Sequence, residues 1–329
     1  MEISLRRFRI MKLNIINTTD RLLTCFEHPI ANIINYYNRD YTMMFETCWN
    51  FSENILLNYE GVHSSCELGW LIENVELNTG ISFKVKEALD FNLICKEIVF
   101  ELEQGRPVIA YVNTYWCPWL LAYQKNHTPH YILIVGIDID RQEFYCIDMM
   151  STSMEVLPFI NFNKGMKEYF TFDILDKPRI SKQEIYNNLM KAIDRIDGTY
   201  QYNMFANMAI FTDKIRRGFD IKSEIKGYDP YKFAPIFTWL KGIGTARKKF
   251  TYVLNFIDKN NEIKLFSEFT ESFHLVYNKW THIILMLFKA VYSSNPQKLY
   301  GTLANKLDDI RIQEEKISYK LKEKISTLI

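Results

Sequence analysis

Three side chains in the first half of the chain are of the types that nucleophilic catalysis by a cysteine requires. Cys25 opens a stretch of helical spacing, His130 immediately precedes an apolar run, and Asp148 lies eighteen residues after that histidine. A thiolate attacks carbonyl carbon, an imidazole carries the proton, and a carboxylate orients the imidazole. These residues are therefore the candidate nucleophile, general base and orienting group.

Each of these assignments has a competing interpretation. His127, three residues before His130, could be the base or face a substrate, and Asp138 is an alternative orienting group. His28 lies one turn into the predicted helix, so we expect it to face solvent and to lie outside the catalytic set. Cys25 could also be an unreactive core thiol, because free cysteines are among the most buried residues.

The local sequence pattern places the three candidates on one helix and two paired strands. Apolar residues recur at helical spacing over residues 24–38, so Cys25 lies at or just before a helix N-terminus. Unpaired N–H groups and the helix dipole at such a position favour a thiolate. Strands are predicted over residues 131–135 and 143–148, and their pairing would bring the carboxylate beside the imidazole. A helix over 93–103 and a strand over 108–112 precede them.

The second half of the sequence is predicted to be helical. Ser181 and Glu184 form a capping box that opens a helix ending at Gly198. Further helices are predicted over residues 204–217, 234–257 and 263–291, with Gly242 and Gly244 breaking the second of these. The tail after Leu303 predicts a docked amphipathic helix whose apolar seam is interrupted by Glu314 and Lys324.

The bulk composition excludes several classes of protein. The chain has 329 residues, 40 Lys and Arg against 39 Asp and Glu, and 48% hydrophobic residues, so we expect globular domains and neither a nucleic acid nor a membrane as partner. No signal-like or membrane-spanning run of about 20 apolar residues occurs. We expect a cytoplasmic protein. Its six cysteines form no CxxC pair, so no metal site is expected.

Several segments of the first half together resemble a known family. The segments are Cys25 with His28-Pro29, residues 105–109, the aromatic run Tyr115-Trp116-Cys117-Pro118-Trp119, residues 127–138, and Asp148. Over residues 22–158 the chain resembles the N-terminal domain of the butirosin-biosynthesis acyltransferases. That domain is similar to bacteriocin-processing C39 cysteine peptidases and hence papain-like. The family includes relatives of the closthioamide amide synthetase, and the resemblance implies a place close to them.

The resemblance implies a fold and an activity. The fold class is α+β: a papain-like, C39-like catalytic domain with an antiparallel sheet over 1–165, and a mainly α-helical domain over 166–329 that covers the cleft. The implied enzyme moves an acyl group from a phosphopantetheine thioester on an acyl or peptidyl carrier protein, through Cys25, to a small amine, with no bound cofactor. The alternatives are a C39-like peptidase and an inactive papain-fold binding module.

The resemblance also directs attention to residues that could contact substrate. C39 peptidases carry an oxyanion-binding Gln about six residues before the nucleophile, where this chain has Thr19, so Asn17 or backbone N–H groups near Cys25 must take that role. The other substrate-contacting candidates are His127, Tyr115, Trp116 and Trp119. Cys117 either lines an apolar acyl channel with these aromatic residues or is part of the core. A basic cluster could receive an acidic carrier protein: Arg216, Arg217, Arg247, Lys248 and Lys249.

Overall fold

The chain forms two compact units that are not simply its two halves. The structure, a computed structural model, describes residues 10–51, 68–87, 90–178, 180–199, 203–228 and 234–329, with the backbone alone for residues 68–70. The first unit comprises Met1–Tyr41 and Val75–Pro178, and the second comprises Thr42–Asn74 and Arg179–Ile329. A segment from the first quarter of the sequence therefore belongs to the unit that holds the C-terminal helices.

The first unit is built on an antiparallel sheet. Its strands are β1 (Ile10–Lys12), β2 (Ile81–Glu87), β3 (Val108–Asn113), β4 (Pro129–Asp138), β5 (Glu143–Ile147), β6 (Glu155–Pro158) and β7 (Glu168–Ile174). Six of them follow the order β2-β7-β3-β4-β5-β6, β1 pairs with β4, and all pairs between these strands are antiparallel. The mixed α/β class with an antiparallel sheet is confirmed, whereas the papain-like relationship stays a prediction.

Two helices pack on this sheet, α1 (Glu27–Tyr36) and α3 (Phe91–Glu103). The Phe26 ring, at the start of α1, lies 4.9 Å from the ring of Tyr131. On α3, Ile94, Ile98 and Leu102 join a buried cluster that contains Ile132. Successive residues of a strand point to opposite faces of a sheet, so α1 and α3 cover opposite faces of β4.

Helices dominate the second unit. They are α5 (Lys182–Ile196), α6 (Met204–Gly218), α7 (Ile221–Glu224), α8 (Pro235–Lys259), α9 (Ser267–Val291) and α10 (Gln297–Ser326), while α2 (Leu68–Thr79) joins the two units in sequence and α4 (Phe159–Gly165) belongs to the first. Ser181 and Glu184 form the expected capping box at α5. Within the described residues, no helix is long and apolar enough to span a membrane.

Two helix predictions in this unit were wrong. Gly242 and Gly244 do not break α8, which is continuous. A Cβ on Gly244 would lie 3.2 Å from the Cβ of Trp280, so this glycine permits close packing of α8 on α9. The helix predicted over residues 263–291, which is α9, begins at Ser267 rather than at residue 263. The Asp258 carboxylate accepts the backbone N–H groups of Leu265 and Phe266 and holds that segment as a loop.

Glu314 does not interrupt the docked face of α10 as the sequence predicted, because it is buried in the middle of that face. Its carboxylate accepts hydrogen bonds from Arg247 Nη2 at 2.8 Å, from Trp49 Nε1 at 2.7 Å and from Trp280 Nε1 at 2.9 Å. Arg247 Nη1 donates to the carbonyl of Asn50 at 2.6 Å. A charge is tolerated here because the two indole N–H groups and the Asn50 carbonyl bind the ion pair.

Removal of this carboxylate should destabilise the protein strongly. In Glu314→Ala the buried guanidinium of Arg247 loses its counter-charge, and we expect a loss of about 3–5 kcal/mol in the free energy of unfolding. The matched control is Glu315→Ala, because the neighbouring Glu315 side chain is 57% exposed and its ion pair with Arg311 is a surface pair. It should change stability by no more than about 0.5 kcal/mol. Urea unfolding measures both, and equal losses would contradict the proposed role of the buried pair.

Candidate active site

Cys25 lies at the start of the helical hydrogen-bonding pattern that continues into α1. The backbone N–H of His28 donates to the carbonyl of Thr24, so the first helical turn begins at Thr24. The Thr24 N–H donates to Glu27 Oε2 at 2.7 Å, and the Glu27 N–H donates to Thr24 Oγ1 at 3.2 Å. This reciprocal pair is a capping box, and it leaves Cys25 as the first residue after the cap. The thiol is partly exposed.

His130 and Asp148 form a buried hydrogen-bonded pair beside that thiol. His130 lies near the start of β4 opposite Val112 of β3, and Asp148 follows the last residue of β5. Their closest atoms, His130 Nε2 and Asp148 Oδ2, are 2.9 Å apart. Because Nε2 is held by the carboxylate, Nδ1 is the ring nitrogen left for the sulfur of Cys25. The strand pairing thus brings together the three residues singled out by the sequence.

The surroundings of His130 favour its protonated form. Burial by itself lowers the pKa of this imidazole, but the hydrogen bonds to Asp148 and to Cys25, with the charges of both groups, outweigh burial and raise the pKa to about 10. A protonated imidazole at neutral pH places a positive charge beside the Cys25 sulfur. A positive charge beside a cysteine sulfur is a general means of favouring thiolate, the form of a thiol that attacks carbonyl carbon.

Asp148 is held by three donors from different parts of the first unit. Besides His130, Trp119 Nε1 donates to Oδ2 at 2.8 Å and the backbone N–H of Met150 donates to Oδ1 at 2.8 Å. Burial raises the pKa of this carboxyl, but its hydrogen bonds and the charge of His130 outweigh burial and lower that pKa below its usual value. Trp119, a candidate for substrate contact, therefore binds the orienting carboxylate.

The two rival residues do not take part in this geometry. The side chain of His127 is exposed, and its ring stacks on that of Tyr115 with centroids 4.2 Å apart. Asp138 lies at the other end of β4, opposite Glu143, and accepts the backbone N–H of Arg141. Eight residues of strand correspond to roughly 26 Å, so Asp138 is too far from His130 to orient it.

The expectation that His28 faces solvent was wrong, since its side chain is 2% exposed. Its Nε2 lies 3.2 Å from the carbonyl oxygen of Thr18. Burial, the largest influence, lowers its pKa, so the ring is neutral at pH 7. The prediction failed because α1 is buried on its polar face as well: Asn32, one turn further along, has no exposed surface.

Asn17 lies against the turn that carries Asp148. Its Nδ2 donates to the carbonyl of Ser151 at 3.1 Å, and the N–H of Ser151 donates to the carbonyl of Asp148 at 3.1 Å. One amide hydrogen of Asn17 is thus used within the protein. The backbone N–H groups of Cys25 and Phe26, in contrast, donate to no group among the described residues.

The remaining aromatic candidates pack mainly within the fold. The ring of Trp116 lies 4.9 Å from that of Tyr115, its carbonyl accepts Asn161 Nδ2, and Lys164 lies over its ring. Cys117 is fully buried in the cluster on the α3 face of the sheet, so it is a core residue and does not line a channel. Burial and the nearby charge of Asp148 raise the pKa of its thiol.

The basic cluster suggested for a carrier protein is not a surface cluster. Arg247 and Lys249 are fully buried. Arg216 binds Asp213 and Asp308 at the surface, and Arg217 also binds Asp213. Acidic side chains therefore accompany Arg216 and Arg217, and Lys248 lies over the ring of Tyr277. With two of the five residues buried, the cluster does not form a continuous positive surface.

A cavity in the first unit is separate from the candidate catalytic residues. It has a volume of about 480 Å³ and lies where α3 and α4 meet the far end of β4, lined by residues that include Phe91, Cys95, Ile137 and Phe159. Ile137 is seven positions along the strand from His130, so this cavity does not open on the sulfur of Cys25. Within the described part of the chain, no group of three His, Cys, Asp or Glu side chains could hold a metal ion.

Two features of this site have signals in the sequence that the predictions above did not use. Thr24 and Glu27 have the spacing of a capping box, and that signal fixes Cys25 as the first residue after the cap. His28 and Asn32 are four residues apart and hence on one helix face. No sequence signal indicated the bond from Trp119 to Asp148, because it joins a loop to a strand end 29 residues later.

Loss of the Asp148 charge should shift the titration of His130. In Asp148→Asn the strongest influence that raises the pKa is gone while burial remains, so we expect the pKa of His130 to fall well below about 10. NMR of protein labelled with ¹⁵N-histidine measures this titration, with His130→Gln identifying the signal. Unchanged titration in Asp148→Asn would contradict the pairing.

The pair of His130 and Asp148 should make the free energy of unfolding depend on pH in both the acidic and the alkaline range. The folded pKa of His130 is raised from 6.5 to about 10, so its contribution is complete below about pH 6.5 and is lost as pH rises through about 10. The pKa of Asp148 is lowered from 3.8, so its contribution is present above that value and is lost as pH falls through the lowered pKa. Urea unfolding of wild type and Asp148→Asn should show a stability difference that is largest between pH 3.8 and pH 6.5 and shrinks towards more acidic and more alkaline pH. A constant difference would exclude this linkage.

Comparison with known proteins agrees with the resemblance over part of the chain. The model of the family described as "Butirosin biosynthesis protein H, N-terminal" matches residues 58–149. No curated protein sequence matches the chain. The matched stretch is narrower than residues 22–158: it contains His130 and Asp148 and begins after Cys25. It supports similarity to this family of biosynthesis proteins, while closeness to the closthioamide amide synthetase stays a prediction.

Proposed function

We propose that this protein is a cysteine-dependent acyltransferase that forms an amide bond. The acyl group comes from a thioester on the phosphopantetheine of an acyl or peptidyl carrier protein, is held on Cys25, and passes to a small amine. Cys25 is the nucleophile, His130 the proton carrier and Asp148 the group that orients His130. The proposal places the reaction in the cytoplasm, in the assembly of a natural product.

One observation carries this proposal: the side chains of Cys25, His130 and Asp148 lie together in the first unit. The carboxylate binds one side of the imidazole at 2.9 Å, and the Cys25 side chain is close enough to act on the same imidazole. A base within reach of a cysteine, itself oriented by a third group, is the arrangement that activates a thiol for attack on carbonyl carbon.

In the first half-reaction, the Cys25 thiolate attacks the carbonyl carbon of the thioester. A C–S bond to Cys25 forms, the C–S bond to phosphopantetheine breaks, and His130 gives its proton to the departing sulfur. The products are the acyl-enzyme, a neutral His130 and the free carrier thiol. One thioester replaces another, so this exchange has little free-energy cost.

In the second half-reaction, an amine attacks the carbonyl carbon of the acyl-enzyme. Neutral His130 takes a proton from the amine nitrogen, a C–N bond forms, and the bond to Cys25 breaks. The products are the amide, the Cys25 thiolate and a protonated His130, so the enzyme returns to its starting state. The sum consumes one thioester and one amine and yields one amide and one thiol.

Both half-reactions develop negative charge on the carbonyl oxygen of the substrate. The backbone N–H groups of Cys25 and Phe26 are suited to bind it, because they lie at a helix start and have no partner among the described residues. Asn17 is the weaker candidate for this role, since its amide already donates to Ser151.

The choice of transfer over hydrolysis rests on the family match. Peptide cleavage would use the same three residues, with His130 protonating an amine leaving group instead of a thiol. The matched family is described by its part in biosynthesis, and a bond-forming reaction agrees with that description.

The proposed acyl-enzyme should be visible in the mass of the intact protein. Mixed with a carrier protein that bears an acyl-phosphopantetheine, the wild type should gain the mass of the acyl group and Cys25→Ala should not. Addition of a small diamine should remove the adduct and release an amide of the acyl group and the diamine. His130→Gln should slow adduct formation at least about a hundredfold, because the proton carrier is lost.

Other outcomes would replace the proposal. Cleavage of a peptide without any adduct from the thioester would indicate a peptidase. Failure of Cys25 to react with iodoacetamide at neutral pH, together with the absence of an adduct, would indicate a binding module. Cys117→Ala is the matched control, because that thiol is buried in the core and its removal should leave the adduct unchanged.

A further inference from the structure

The segment around Asn17 and Thr18 lies between two parts of the candidate site that come from distant positions in the chain. One part is α1, whose start carries Cys25. The other is the turn that follows β5 and carries Asp148. We call Asn17 and Thr18 the strap, and hydrogen bonds join this strap to both parts.

On the α1 side, two buried side chains bind the backbone of Thr18. His28 Nε2 lies 3.2 Å from the carbonyl oxygen of Thr18, and the N–H of Thr18 donates to Asn32 Oδ1 at 2.9 Å. Asn32 Nδ2 also donates to the carbonyl of His28 at 2.9 Å, which fixes the orientation of the amide. The backbone N–H and the carbonyl of Thr18 are thus both bound by side chains of α1, the helix whose start carries Cys25.

On the opposite side, the strap binds the turn after β5. Asn17 Nδ2 donates to the carbonyl of Ser151 at 3.1 Å, and the same turn closes on Asp148 through the N–H of Ser151. A continuous series of hydrogen bonds therefore runs from α1 through the strap to the turn of Asp148. Any change in the position of α1 against that turn must stretch one of these bonds.

We infer that His28, Asn32 and Asn17 are positioning residues that hold Cys25 beside His130. Their role is distinct from that of the catalytic residues, because their hydrogen bonds go to the backbone. The inference concerns the same site as the proposed function but does not depend on the acyl-transfer reaction, since it can be tested without any substrate.

Two features of His28 support this role. Its ring is close enough to the site for the charges of Asp148 and His130 to act on it, and Asp20 acts on it as well. Burial keeps the ring neutral at pH 7, so it can donate one N–H to Thr18 without adding a second positive charge beside His130. A lysine or arginine at this position would supply the donor but also the unwanted charge.

Substitutions at His28 provide a readout that a merely structural role would not change. The groups that act on the pKa of His130 are Asp148 and Cys25. From α1, His28 lies close enough for the charge of His130 to act on it, and His28 is itself neutral at pH 7. Between pH 7 and pH 11 the change His28→Leu removes no charge, so a lower pKa of His130 would report a longer distance to the sulfur of Cys25. NMR of ¹⁵N-histidine protein follows the titration of His130 in each variant, with Cys25→Ala as the reference that lacks the thiol altogether.

The expected order of the variants is specific. In His28→Leu the pKa of His130 should fall from the wild-type value most of the way to its value in Cys25→Ala, which is a change of roughly tenfold in the protonation equilibrium. His28→Gln, whose amide can still donate to the carbonyl of Thr18, should restore most of the wild-type value. Alkylation of Cys25 by iodoacetamide at pH 7 should fall in the first variant and recover in the second.

A titration of His130 that stays at the wild-type value in folded His28→Leu would overturn the inference, even if the melting temperature falls. If that variant does not fold, Asn17→Ala provides the second test, because it deletes the bond to Ser151 at a half-buried position. Asn17→Ala should also lower the pKa of His130 towards its value in Cys25→Ala, and an unchanged pKa would contradict the positioning role of the strap. Loss of acyl transfer alone, with these titrations as expected, would count against the proposed function and not against the strap.

Discussion

The candidate site depends on the burial of one carboxylate. Asp148 has no exposed surface, and a charged oxygen in the interior is stable only if donors replace the water that it has lost. The donors come from β4, from the loop after β3 and from the turn after β5, as His130, Trp119 and Met150. The need to satisfy Asp148 therefore determines how these three segments meet, and the position of His130 follows from it.

The second unit uses the same device without a thiol. Glu314 is as fully buried as Asp148, and it is satisfied by Arg247 and by the indole N–H groups of Trp49 and Trp280. Each buried carboxylate receives hydrogen bonds from separate elements. Each therefore favours one arrangement of those elements, whereas apolar packing alone would allow many. The difference lies in the residue type of the partner: a guanidinium does not exchange protons in ordinary enzyme chemistry, whereas an imidazole such as that of His130 can give up its proton and can therefore take part in chemistry.

The sequence predicts the parts of this fold that local patterns determine. Helical spacing after Cys25, the apolar run after His130 and the capping box at Ser181 each describe neighbours in the chain, and the structure has α1, β4 and α5 at those places. The failures involve partners that are far apart in the sequence. His28 and Glu314 are polar residues that a local pattern assigns to the surface, and they are buried because Thr18 and Arg247 satisfy them. The same reason explains why the bond of Trp119 to Asp148 was not foreseen.

The exposure of the three central residues restricts the path of the proton in the proposed reaction. His130 and Asp148 are buried, whereas Cys25 is partly exposed, so among these three residues the sulfur offers the accessible side from which a substrate can approach the imidazole. The amine that attacks the acyl group must then approach along the side from which the carrier thiol has left, since His130 has to meet both. Transfer over hydrolysis consequently requires that the amine, and not water, reach the acyl group on Cys25 from that side.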